Sequence, residues 1–68
     1  MKISYTLQSQ DGNRALVMIL PEHPINGFHG VDLLITVPEK NADAFIRERV
    51  VWKIRQEIGN TDVEIVKG

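Results

Sequence analysis

Glu22 and His23 are followed by His29 and Asp32, so four potential metal ligands gather within one short stretch of this chain. Imidazole and carboxylate together make a common zinc set. The order Glu-His, then His, then Asp at these separations follows no standard ligand pattern, so the expectation is that no metal is bound and that both imidazoles are solvated or hydrogen-bonded locally. Nucleophilic chemistry has less to draw on. There is no cysteine, and the serine hydroxyls belong to Ser4 and Ser9, in or beside the first expected strand. No Ser-x-x-Lys or Gly-x-Ser-x-Gly arrangement sets either against a base. Neither catalytic residues nor an organic cofactor are expected.

Gly27-Phe28-His29-Gly30 reads literally as G-x-x-G, the loop with which KH domains clamp a nucleic-acid backbone. In KH domains that loop joins two helices, whereas here it leads into an expected strand. The two glycines are therefore read as a turn that needs positive φ. The remaining candidate chemistry lies on an expected helix. Phe45 and Trp52 are seven residues apart and nearly superimposed in helical projection, with Arg49 and Gln56 on the same outer face. Aromatic, arginine and amide side chains in one patch are the mixture enriched at protein interfaces. The plainer account has Phe45 folding over the helix start and Trp52 lying across its neighbours, since isolated exposed apolar residues are ordinary. Within the same helix, Arg47-Glu48-Arg49-Val50-Val51-Trp52-Lys53-Ile54 resembles the C-terminal helix of the CsrA family of dimeric RNA-binding regulators. That family's N-terminal strand has no counterpart in Met1-Lys2-Ile3-Ser4-Tyr5-Thr6, so the resemblance assigns no residue a role.

The elements that would position these groups follow from periodicity. Ile3, Tyr5 and Leu7 alternate with polar residues, the pattern of a half-buried strand. Asp11-Gly12 is a strong type I′ hairpin signal. Pairing Gln10 with Asn13 then opposes Leu7 to Leu16, Tyr5 to Met18 and Ile3 to Leu20, one continuous apolar face. It leaves Ala15, Val17 and Ile19 on the other face, so the second strand is apolar on both sides and is read as central or twice covered. Pro21 to Gly30 reads as an irregular connection. Val31, Leu33, Ile35 and Val37 form the apolar side of a third strand that Pro38 ends.

Asn41 is the expected N-cap of a helix with Asp43 in its first turn, and Gly59-Asn60 is its expected stop. Between them Ile46, Val50, Val51, Ile54 and Ile58 fall in one stripe. Val63 and Ile65 mark a short final strand. The expected fold is thus a single α+β domain over residues 1–68: a small mixed four-stranded sheet built from an N-terminal β-hairpin, a third strand, a helix and a short fourth strand, with the helix on one face.

Composition sets the function classes. Sixty-eight residues bury too little surface for a deep catalytic cleft in one protomer. Without disulfides, a partner chain becomes a natural source of extra stability. Eight basic against nine acidic residues give a charge of −1, which offers no footprint for nucleic acid or an anionic membrane. The longest apolar run, Ala15 to Leu20, is far too short to span a bilayer. The opening residues lack the apolar core of a signal peptide, and with no cysteine a cytoplasmic protein is expected. The reading is a non-catalytic protein-interaction or oligomerisation module, with a homodimer as the expected assembly. A single-stranded nucleic-acid binder is the alternative, and an enzyme with a site shared between protomers comes third. One helix cannot cover both sheet faces, so two interface candidates are open. They are the outer helix face, Phe45, Arg49, Trp52 and Gln56, which ranks slightly first, and the sheet back, to which Val17, Ile19 and Leu34 are assigned.

Overall fold

The computed structural model describes residues 2–59 and 62–68. Five elements follow in chain order: β1 (Lys2–Asp11), β2 (Arg14–Pro21), β3 (Val31–Thr36), α1 (Ala42–Ile58) and β4 (Glu64–Lys67). The strands form one sheet in the order β3-β2-β1-β4. β1 and β3 run antiparallel to β2, and β4 runs parallel to β1. The α+β class, the mixed four-stranded sheet and the single helix are those expected from the sequence.

The hairpin register is not the expected one. The two-residue loop is Gly12-Asn13, closed by Asp11 and Arg14. Only Gly12 has positive φ there, at 60°, which is the pattern of a type II′ turn with glycine first. The shift is of two residues and places Gln10 opposite Ala15, and an irregularity between Leu7 and Ser9 takes the pairing back by one, for a net change of one residue. Below it Leu7 faces Val17, Tyr5 faces Ile19 and Ile3 faces Pro21. Moving the register by one residue exchanges the two faces of a strand. Ala15, Val17 and Ile19 accordingly lie in the core with Ile3 and Tyr5, and Leu16, Met18 and Leu20 turn to the other side. Small and β-branched side chains thus lie on the covered face of β2, while leucines and a methionine, none branched at Cβ, take the open face.

The connection after β2 contains the type I′ turn that Asp11-Gly12 does not make. Asn26 and Gly27 both have positive φ, 50° and 86°, and Ile25 and Phe28 exchange backbone hydrogen bonds of 3.1 and 2.7 Å across them. This miniature hairpin turns the Phe28 ring into the core, where it is 6% exposed.

The helix buries Ile46, Val50 and Ile54 against the sheet, with Ile58 packed at the edge of that cluster. Full burial of each aliphatic side chain contributes about 2 kcal/mol, so this stripe holds the two layers together. Gly59 takes the left-handed cap conformation and donates to the Arg55 carbonyl at 2.9 Å. Asn60, the second residue of the expected stop, lies outside the described residues. At the other end Asn41 occupies the N-cap with φ 60° and ψ 35°, and its side chain makes no capping hydrogen bond. The left-handed conformation costs a residue with a Cβ roughly 1 kcal/mol. Asn41→Gly is therefore expected to stay within about 0.5 kcal/mol of wild type, while Asn41→Ala loses about 1 kcal/mol. Chemical denaturation of the two variants checks this, and a glycine variant weaker than the alanine variant would contradict the cap geometry.

Candidate functional site

With α1 on one side, no element among the described residues covers the opposite face of the sheet. Alternation along β2 directs Leu16, Met18 and Leu20 to it, and the pairings bring Leu34 beside Leu16 and Ser4 beside Leu20. On β4, Val66 pairs with Ser4 and extends the same face. Leu34 is 65% and Leu20 46% exposed, while Leu16, Met18 and Val66 are half-buried. The result is an apolar diagonal from Leu34 through β2 to Val66. Hydroxyls of Ser4, Thr6 and Ser9 line it along β1, and the Gln8 amide lies 4.0 Å from the Met18 sulfur.

Charges mark the ends of this face. Arg14 and Asp11, opposite each other across the hairpin, stand at the hairpin end. At the opposite end Lys2 and Glu22, with Ser4, Leu20, Pro21 and Val66, line a shallow depression of about 410 Å³. Glu64 pairs with Lys2 there, and Asp32 sits beside Met18 on the β3 side. An apolar centre with a polar, charged rim is the anatomy of a protein interface.

The residues singled out from the sequence fall differently. Val17 and Ile19, expected on the sheet back, are fully buried in the core, because the register places that set beneath the helix. Leu34 does lie on the back. On the helix, Phe45 is half-buried against the core, whereas Trp52 is 46% exposed and Gln56 is exposed. The Arg49 guanidinium lies over the Trp52 ring, 4.8 Å from its centroid. The helical aromatics are thus already engaged, one by the core and the other by a neighbouring cation, and only Trp52 offers appreciable free surface. Leu16, Met18, Leu20 and Val66 were not assigned to an interface from the sequence. The signal that finds them is the apolar character of β2 on both faces, combined with a single helix.

His23 and His29 are both exposed, and among the described residues no three His, Cys, Asp or Glu side chains are grouped to hold a metal ion. A second depression lies between the hairpin loop and the start of α1, bordered by Gln10, Asn13, Val37 and Glu39. It holds no nucleophile paired with a base. Among the described residues no helix is long and apolar enough to cross a membrane. No family model matches the chain, and neither the curated proteins nor the solved structures compared with it yield a match.

Proposed function

We propose that this chain is a non-catalytic interaction module that binds a protein surface, its own or another's, through the open face of its sheet. The observation that supports this reading is the uncovered set of Leu34, Leu16, Met18 and Leu20 on the adjacent strands β3 and β2, with Val66 on β4 beyond the Ser4 position of β1. The largest apolar patch of a monomer is often a functional surface. The sheet face takes precedence over the outer helix face because Phe45 and Arg49 are committed to contacts within the chain.

The test compares wild type with a face variant, Leu20→Lys/Leu34→Lys, and a helix variant, Trp52→Ala. Sedimentation reads self-association and capture from extracts of the native host reads heterologous binding. Both substitutions of the face variant fall at exposed positions, so it is expected to stay folded. It should lose association at least tenfold, while Trp52→Ala, which gives up only a surface cation–π contact of about 0.5–1 kcal/mol, associates as wild type does. Identical behaviour of the wild type and the face variant in both assays would remove the proposal's basis.

A further inference from the structure

We infer that the open sheet face takes the same face of a second copy, stacked with the strands antiparallel so that each β2 lies across the other. The inference rests on reading this face as the binding surface, and adds the partner and the geometry. A face that covers itself needs a two-fold axis lying between the two sheets. Two orientations of that axis keep the strands aligned, as stacked sheets prefer. With the axis along the strands, β2 covers the partner's β1, and Leu20, Met18 and Leu16 meet Ser4, Thr6 and Ser9. With the axis across the strands at Met18, Leu16 meets the partner's Leu20 and Met18 meets its own copy. The second arrangement buries apolar groups on apolar groups and leaves the β1 hydroxyls facing each other, where they can hydrogen-bond.

The charges agree with that choice. Arg14 begins β2, and Glu22 immediately follows its last residue, with Lys2 beside Glu22 and Asp11 beside Arg14. Reversing the strand direction brings Arg14 over the partner's Glu22 and Lys2 over the partner's Asp11, each contact occurring twice. Asp32, on the β3 side, faces its own copy and works against the pairing. The area sets the strength. Four strands about 4.8 Å apart, of ten, eight, six and four residues at about 3.3 Å each, present roughly 400–450 Å². Two faces then bury about 800–900 Å², below the range of permanent complexes, so the dimer is reversible and forms at micromolar concentrations or above.

The experiment is a charge exchange read by sedimentation equilibrium at low salt, with circular dichroism confirming the fold of each variant. Arg14→Glu and Glu22→Arg are each expected to weaken the dimer roughly tenfold, since two symmetric rim pairs turn from attraction to repulsion. The double variant Arg14→Glu/Glu22→Arg is expected to recover most of that loss. Within one chain the two positions are eight residues apart along β2, about 26 Å, so recovery requires contact across the dimer. Asp32→Asn is expected to tighten the dimer by a few-fold. A wild type that stays monomeric at several hundred micromolar overturns the second-copy inference, as does a double variant no better than either single one. Either result, with the Leu20→Lys/Leu34→Lys variant still losing a host protein that wild type captures, leaves the interaction reading standing and removes only the antiparallel pair.

Discussion

Val17→Lys is expected to leave the chain unfolded at room temperature, whereas Leu34→Lys is expected to leave its stability within about 0.5 kcal/mol of wild type. Both positions lie on the sheet, and both were candidates for the same exposed surface on sequence grounds. Their environments differ completely: Val17 is fully buried and Leu34 is 65% exposed. A 68-residue domain has about 3–10 kcal/mol of total stability. Replacing Val17 removes about 2 kcal/mol of apolar burial and forces an ammonium group into a site where no described polar side chain is buried beside it. The desolvation of that charge costs several kcal/mol more, which reaches or exceeds the whole of the stability. Far-ultraviolet circular dichroism with a thermal melt distinguishes the two variants, and Met18→Lys serves as the neighbour control. A folded Val17→Lys beside an unfolded Met18→Lys would mean that the sheet faces are exchanged and the open apolar surface has been assigned to the wrong side.

That contrast depends on a feature the sequence left undetermined. The helix was legible because Ile46, Val50 and Ile54 recur at helical spacing and Gly59 follows at the cap, each cue pointing to the same element. The strands were legible as strands, and the mixed sheet with one helix follows from their order. The phase of β2 was not legible. From Ala15 to Leu20 every side chain is apolar, so alternation has no polar positions to fix which set faces inward. Phase then passes to the turn and to the regularity of β1. Asp11-Gly12-Asn13 contains two overlapping hairpin pairs, Asp-Gly and Gly-Asn, whose closing pairs differ by two residues in register and so leave the same set inward, whereas the irregularity between Leu7 and Ser9 moves the pairing by one and exchanges the faces. The irregularity between Leu7 and Ser9 has no sequence cue of its own. The interface reading inherited this ambiguity. It anticipated an uncovered apolar sheet face but named Val17 and Ile19 where Leu16, Met18 and Leu20 stand. Asn26-Gly27 failed in the opposite way: its type I′ chemistry is plain, but Ile25 and Phe28 form a single bridge, too short for any alternation to announce a hairpin.

Gly30→Ala is expected to cost roughly 2–6 kcal/mol, by two mechanisms that act together. Gly30 has φ 131°, a region that residues with a Cβ rarely adopt, and holding alanine there costs about 1–3 kcal/mol. A Cβ at this position would also lie 2.8 Å from Leu20 Cδ2 and 3.0 Å from the Ile19 carbonyl oxygen. The leucine terminus can swing away, but the carbonyl belongs to β2 at the residue paired with Val31, where β3 begins, and moving it strains that pairing. Overpacking of this kind adds about 1–3 kcal/mol. Gly12 provides the comparison, since it also has positive φ but nothing lies within 4 Å of its would-be Cβ, so Gly12→Ala is expected to cost only about 1–2 kcal/mol. The double variant Gly30→Ala/Leu20→Ala separates the two contacts at Gly30. Removing the leucine terminus relieves the side-chain clash and leaves both the φ strain and the carbonyl contact, so stability should return only in part. Full recovery would place the whole effect in Leu20, and a Gly30→Ala variant within 0.5 kcal/mol of wild type in urea denaturation would show that the chain does not approach β2 so closely. Because Leu20 is also part of the open face, any adjustment it makes to accommodate the new methyl alters that surface. Gly30→Ala should therefore weaken self-association even under conditions where it remains fully folded.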